Sequence, residues 1–473
     1  MTFTQILLIG FPLLCALMAA AAMAHAILTK RDVRAAIGWV VVAIASPFFG
    51  PLAYWLLGVN RINRRAAAIF GEREQDSVVP RLPQHVSPEP CFGALGLRRF
   101  IDGLVSRPKL DGNHVETLES GRDAYGAMIE AIQRAERSVT MASYIFDDGD
   151  AGREFADALA AAVARGVECR VLIDGIGQRY SKRSMVEVLS SRDVTTRAFL
   201  PARHPLRAPY FNLRNHRKIM IVDGRNAFTG GMNIRDGHRD TEGPHQIRDI
   251  HFHVTGPVVG QLQSVFAEDW LFASKEKLQG DLWFPVIEET GDMQARAISD
   301  GPDHDLDKIY WTLMAGLSCA RHRVQFSTPY FLPINGIDRA IEAAARRGVH
   351  VDIFLPEHNN LRLVQWASRN FWPRIVDGGA RLWLVGGPFD HSKIMLMDSD
   401  WSFIGSSNWD PRSLRLNFEL NVEVGSTQLN QQLENVLASK RMRSRAVQSS
   451  ELDQRPLPEK LLEGTASLFA PYL

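Results

Sequence analysis

An excess of basic residues, paired cysteines and metal-ligand spacings are all scarce in this 473-residue sequence, and each scarcity excludes a class of function. Lys and Arg total 54 against 53 Asp and Glu, a formal net charge of +1. There is no global positive field of the kind a nucleic-acid binder uses to hold phosphates. The four cysteines, Cys15, Cys91, Cys169 and Cys319, are scattered singly, so neither a disulfide framework nor a cysteine zinc site is expected. His238, His245, His251 and His253 form a loose group, but their spacing fits no zinc pattern, and ordinary polar or core histidines are expected there.

Charged side chains are also missing from two long runs, Ile6 to Leu28 and Ile37 to Val59. Each is long enough to cross a bilayer core of about 30 Å. The short connection Thr29–Arg34 makes a transmembrane hairpin the expected reading of residues 1–65. A cleaved signal peptide is the rival for the first run, since Ala24-His25-Ala26 resembles a cleavage site, but no Lys or Arg precedes the apolar stretch. Pro47 and Pro51 can kink the second run or make it re-entrant. Orientation is nearly a tie: Lys30, Arg31 and Arg34 in the connection face Arg61, Arg64, Arg65 and Arg73 beyond it, with a slight lean toward a cytoplasmic catalytic part.

Residues 66–111 read as a linker, with Gly71 to Cys91 rich in charge, Pro and Ser. Folded sequence follows in two halves, 112–287 and 288–473. SVTMASYIFDDGDAGREFADALAAAVARGVECRVLIDGIG, in the first half, reads as strand, loop, helix, strand, with Gly166 closing the helix. RVQFSTPYFLPINGIDRAIEAAARRGVHVDIFLPEHNN repeats that plan in the second half, with Gly348 in the matching place. A second duplication follows the first. NHRKIMIVDGRNAFTGGMNIRDGH begins at Asn215, and FDHSKIMLMDSDWSFIGSSNWDPRSLRLNFELN begins at Phe389. His216, Lys218, Asp223, Gly230 and Asn233 correspond in order to His391, Lys393, Asp398, Gly405 and Asn408. In extended chain, His and Lys two apart share a face, and a small-residue turn then brings the Asn back toward them. Two such copies facing each other offer two imidazoles, two ammonium groups and two amides, a cage suited to a phosphodiester anion. An α/β fold of two pseudo-twofold-related α/β/α lobes, with the site in the seam, is the expectation.

The paired motifs resemble the HKD motifs of the phospholipase D superfamily, and SSNWDPRSLRLNFELN is similar to bacterial cardiolipin synthases. The resemblance extends to Thr328-Pro329-Tyr330-Phe331, to the Pro-rich second apolar run and to the ending LLEGTASLFAPYL, and so spans nearly the full chain. It implies phospholipase D-like lobes and a catalytic set of His216, Lys218, Asp223, His391, Lys393 and Asp398. By resemblance His216 is the nucleophile, forming a covalent phosphohistidine, and His391 the acid/base. The near-symmetry of the motifs leaves that order open. Lys218, Lys393, Asn233 and Asn408 hold the non-bridging oxygens. Glu419 and Asp249, each on a later strand of its own copy, are candidates to orient the histidines, with Asp240 and Glu242 as rivals of Asp249. Asp223 and Asp398 lie an odd number of residues from their lysines, so they are expected to face away and play a structural part.

The implied activity is transfer of a phosphatidyl group from one phosphatidylglycerol to another, giving cardiolipin and glycerol, with no metal, nucleotide or other cofactor required. The alternative is a hydrolase of the same superfamily acting on membrane phospholipids. Implied partners are phosphatidylglycerol, other membrane phospholipids and the membrane itself, not nucleic acid, with the chain multi-pass in a bacterial inner membrane. Two stretches that mix aromatics with arginines, LRAPYFNLRN and LRLVQWASRNFWPRI, suit a headgroup boundary, although a plain amphipathic helix explains the second equally well.

Overall fold

The computed structural model describes residues 3–30, 33–58, 93–181, 183–201, 213–239, 246–303, 305–333 and 336–472. Two units are distinguished, Met1–Ile69 and Phe70–Leu473. In the first, one helix spans Phe3–Thr29. Its stretch Gly10–Thr29, with mean hydropathy 2.0, is long and apolar enough to cross a membrane. Leu13, Leu17, Ile27 and Leu28 point outward from it.

The second apolar run departs from the expected hairpin. A 13-residue helix, Val33–Ala45, stops at Ser46-Pro47-Phe48, and a short helix Phe49–Ala53 leads into a π-helical turn Tyr54–Gly58. Thirteen residues rise about 20 Å, short of the hydrocarbon core. The break has a packing cause besides the prolines: a Cβ on Gly50 would lie 2.3 Å from the Val42 carbonyl oxygen, so glycine lets the chain fold tightly back. Among the described residues only the first helix has crossing length.

Residues 93–104 correct the linker expectation. Gly93–Leu104 is a helix, and Leu97 and Ile101, one turn apart, are buried with Val105 in the core of the second lobe. The segment Gly71–Cys91 lies outside the described residues.

The first lobe contains β1 (Leu110–Leu118), β2 (Ser138–Ser143), β3 (Glu168–Asp174), β4 (Thr195–Phe199), β5 (Arg214–Asn215), β6 (Ile219–Val222), β7 (Asn226–Gly230), β8 (Ile247–Arg248) and β9 (His251–Thr255). The second contains β10 (Met293–Asp300), β11 (Arg323–Ser327), β12 (His350–Pro356), β13 (Arg381–Val385), β14 (Phe389–Asp390), β15 (Ile394–Met397), β16 (Trp401–Gly405), β17 (Asn417–Gly425) and β18 (Ser444–Ala446). Strand order is β1-β9-β7-β6-β2-β3-β4 in one and β10-β17-β16-β15-β11-β12-β13-β18 in the other, the same plan with one added edge strand. Antiparallel pairing of β1 with β10 joins them. Met293–Asp300, near the start of the second half, is thus the first strand of the second lobe.

The repeated β-α-β units are as expected, with helices Asp150–Ala164 and Ile337–Arg346. Gly166 and Gly348 follow them at φ +91° and +89°, a left-handed conformation that L side chains rarely adopt. Strand alternation divides the core. Met220 and Val222 of β6 face the helices of their own lobe. Ile219 and Ile221 join Ile394 and Leu396 of β15 in a core shared by both lobes. That shared core fixes the two motifs against each other.

Candidate active site

Both His-x-Lys segments are extended links, each between a two-residue strand and a four-residue one. The two-residue strands pair in parallel with the opposite lobe. Asn215 in β5 lies opposite Phe418 in β17, and Asp390 in β14 lies opposite Arg248 in β8. The ladders continue one step, with His216 N–H donating to the Phe418 carbonyl (2.9 Å) and His391 N–H to the Arg248 carbonyl (2.7 Å). Register then sets each histidine beside the next residue of the other lobe. His216 Nδ1 is 3.0 Å from Glu419, and His391 Nδ1 is 2.7 Å from Asp249. The orienting carboxylates are thus exchanged between lobes. Asp249 stands in the link between β8 and β9 rather than on a strand. Its rivals Asp240 and Glu242 lie outside the described residues.

Both imidazoles use Nδ1 on a carboxylate, leaving Nε2 for chemistry. Lys218 Nζ donates to the His216 carbonyl (2.6 Å) and Lys393 Nζ to the His391 carbonyl (2.5 Å), which ties each ammonium group to its own histidine. All four side chains are buried. Burial is the leading cause of their shifts: His216 is pushed down to about 4, Lys218 to about 7 and Lys393 to about 8, and His391 lies well below its ordinary value. Each lysine also feels both carboxylates, Glu419 and Asp249, so the two halves form one electrostatic site.

The two halves are not equivalent. Burial alone would raise Glu419, but His216, Lys218 and the Ser406 hydroxyl hold it below the ordinary carboxylate range. Ser406 donates to Glu419, and Asn417 donates to it at 3.2 Å. The position matching Ser406 is Gly231, where a Cβ would come within 2.5 Å of the Asp249 carboxylate. Among the described residues Asp249 accepts one backbone bond, from Ile250 at 2.8 Å, and burial pushes its carboxyl up. Glu419 is therefore the more firmly ionised partner.

The asparagines close the walls. Asn233 Oδ1 accepts the Ile145 N–H (3.1 Å), which leaves its NH2 group as the donor it can offer an anion. Asn408 Nδ2 reaches the Ser413 hydroxyl (3.1 Å), while its buried Oδ1 has no hydrogen-bond partner among the described residues. Asp223 and Asp398 lie away from this cluster. The Asp223 carboxylate accepts the N–H groups of Glu136, Arg137 and Ser138, and Asp398 those of Arg321, His322 and Arg323. Each aspartate, at φ +53° or +51°, thereby holds the start of the neighbouring strand rather than its own turn. Replacing Asp398 by Ala should lower stability by about 1–3 kcal/mol in thermal unfolding. The geometry of the His216 and His391 cluster, which neither aspartate touches, should be kept in the folded fraction.

Several groups escaped sequence reasoning. His238, expected to be an ordinary histidine, is buried with its ring 5.7 Å from that of His391, and its Nδ1 has no hydrogen-bond partner among the described residues. His238, Asp249 and His391 each offer an atom within 4.8 Å of the others, close enough to share a cation. Its place after the Asn, matched by Ser413 in the other copy, was the available signal. His251 is buried beside Gly230, His253 stacks on Phe228 at 4.7 Å, and His245 lies outside the described residues. Tyr144 leans on His216 and Tyr330 on His391, at 5.0 and 6.3 Å between ring centroids. Of the two mixed stretches, the first lies almost wholly outside the described residues. The second is not a headgroup boundary of aromatics, since Trp372 is buried and Trp366 and Phe371 pack inward.

Comparison with known proteins agrees with this geometry. Residues 128–270 and 313–441 match the family described as "Cardiolipin synthase, PLD-like domain", and residues 17–58 match "Phospholipase_D-nuclease N-terminal". Cardiolipin synthase A of Pseudomonas fluorescens is 30% identical over 459 residues, covering 95% of each chain. Cardiolipin synthase 2 of Bacillus cereus is 29% identical over 94% of this chain and 88% of its own. Among solved structures, phosphatidylserine synthase of Haemophilus influenzae superposes with TM-score 0.63 over 80% of this chain and 100% of its own, at 15% identity, a likeness of fold. Matched over more than half its length by one family and over nearly all of it by these relatives, the chain belongs to the PLD-like cardiolipin synthase family.

Proposed function

We propose that this protein is a phosphatidyltransferase of the membrane, a cardiolipin synthase that moves a phosphatidyl group from one phosphatidylglycerol to the terminal hydroxyl of another. The observation that carries the reading is the pair of cross-lobe histidine–carboxylate bonds flanked by two buried lysines. His216 Nε2 attacks phosphorus, and the phosphorus–oxygen bond to the headgroup glycerol breaks. His391 gives its proton to the departing glycerol oxygen. In the second half His391 takes a proton from the incoming glycerol hydroxyl, whose oxygen attacks phosphorus as the phosphorus–nitrogen bond breaks. Cardiolipin and glycerol result, and both histidines return to their starting states. The lysines and the Asn233 amide stabilise the charge that gathers on the non-bridging oxygens.

The inequality of the halves supports His216 as the nucleophile. A histidine whose Nδ1–H faces a firmly ionised carboxylate is the more basic at Nε2, and Glu419 is that carboxylate. Buried neutral histidines suit attack, and the charge of a bound phosphodiester favours protonation of His391 as the acid. The apolar helix Gly10–Thr29 and the family membership support membrane association.

The test is a product assay with the full chain, phosphatidylglycerol as the only lipid and a chelator present. Equal cardiolipin and glycerol are expected, and phosphatidic acid alone would make the protein a hydrolase. Run across pH, the same assay reads the free-enzyme groups through kcat/KM. Lysines must be charged to hold the anion, so kcat/KM should fall as pH rises through 7 to 8. The acidic limb should lie near 4, where His216 gains its proton, and a limb at the ordinary 6.5 would contradict the burial argument.

A further inference from the structure

The last long helix, Leu457–Ser467, packs against Arg362–Arg369 with its polarity reversed. Glu463, 1% exposed, faces inward and binds Arg369 (3.1 Å) and Arg455. Glu459 also pairs with Arg369, at 2.8 Å. The apolar side chains instead face out: Leu457 is 69% exposed, Leu461 62%, Leu468 75% and Phe469 51%, and Leu361, at the start of the helix it packs on, is 48% exposed. A soluble surface helix normally does the opposite. Because both acids pair with arginines, Lys460 remains as the exposed charge among the leucines of this helix, and Arg362 is exposed at the start of the helix it packs on. Exposed leucines with basic neighbours and internally neutralised acids are the pattern of a helix lying in a lipid headgroup layer.

The underside of this platform is a wall of the active site. Ala466 and Ala470 pack with Leu332, Val364 and Ala367 against Tyr330, whose ring lies 6.3 Å from that of His391.

We infer that the exposed face of Leu457–Phe469, together with Leu361, is an interfacial surface that seats the catalytic unit on a phospholipid bilayer beside the His391 half of the site. The occupant is a bilayer rather than a second copy, because the exposed charge within Leu457–Phe469, Lys460, is cationic and the surface adjoins the site that the phospholipid must reach. The inference rests on the phospholipid reading given above. It extends that reading by assigning lipid delivery to this surface.

The test compares the full chain with a Leu461→Ser/Leu468→Ser/Phe469→Ser variant on two substrates, long-chain phosphatidylglycerol in vesicles and a short-chain phosphatidylglycerol kept monomeric. Transfer from vesicles should fall at least about tenfold in the variant, with the monomeric substrate turned over within about twofold of the parent. Equal rates on vesicles, or an equal fall on both substrates, would overturn the inference. An environment-sensitive fluorescent amino acid at Leu468, in the full chain reconstituted with brominated lipids, gives an answer independent of turnover. Quenching by the bromines is expected. A water-exposed signal, or quenching only between copies, would overturn the docking surface. If the parent turns over neither substrate while the bromines quench, the assigned reaction fails and the surface stands.

Discussion

Glu419→Gln should reduce phosphatidyl transfer by roughly 10²- to 10⁴-fold, although the residue belongs to the second lobe and the histidine it serves to the first. The amide keeps the size of the side chain but loses the negative charge that Nδ1–H of His216 faces at 3.0 Å. It also disturbs the hydrogen bonds from Ser406 and Asn417. Formation of the phosphohistidine is the step affected, so rapid-quench trapping of phosphoenzyme should show it slowed to the same degree as overall turnover. Asp249→Asn should act differently, through His391. With a substrate whose leaving group needs no proton, it should form the covalent intermediate at nearly the parental rate and be impaired in passing it to the acceptor. Equal behaviour of the two variants in trapping would sink the assignment of His216 as nucleophile.

Asp269→Ala should destabilise the protein by about 3–5 kcal/mol, among the largest effects a single substitution here can have. Asp269 is buried and holds the Arg217 guanidinium at 2.6 Å and the Asn215 amide at 2.8 Å. Arg217 stands between His216 and Lys218 and also donates to the Glu419 carbonyl at 3.0 Å. Removing the carboxylate leaves a buried guanidinium without its counter-charge. The partner link, and with it the pairing of β5 and β17, should loosen. Denaturant unfolding of the detergent-solubilised chain checks the magnitude. The double variant Asp269→Leu/Arg217→Met should recover most of the loss, because two apolar groups carry no uncompensated charge. Parental stability in the single variant would contradict the argument. Lys440 and Asp390, 2.7 Å apart, hold the second motif in a comparable way.

The sequence by itself determined the duplication, the residue types at the site and the pairing of strand with helix in each lobe. These follow from local patterns: His and Lys two apart, a four-residue apolar strand, a glycine at each left-handed helix end. It also determined the helix of membrane-crossing length, since an uncharged run of that length has few other uses. What it missed was set by contacts between residues far apart in the chain. The helix Gly93–Leu104 looked like linker because three glycines and two adjacent arginines obscure its apolar stripe, and only the second lobe's core gives Leu97 and Ile101 a partner. The second apolar run has the composition of a span, yet Gly50 against Val42 folds it back.

The tertiary structure alone decided how the site works. Which carboxylate serves which histidine depends on β5 pairing with β17 and β14 with β8, a register between lobes that no local pattern encodes. The inequality of the halves depends on Ser406 reaching Glu419 where Gly231 faces Asp249, and on His238 folding against His391. The outward leucines of Leu457–Phe469 became visible only once Glu463 was found buried on Arg369 and Arg455. Residue types and spacings set what chemistry was possible. Burial and register, which are properties of the assembled fold, set the protonation states and partners that let it proceed.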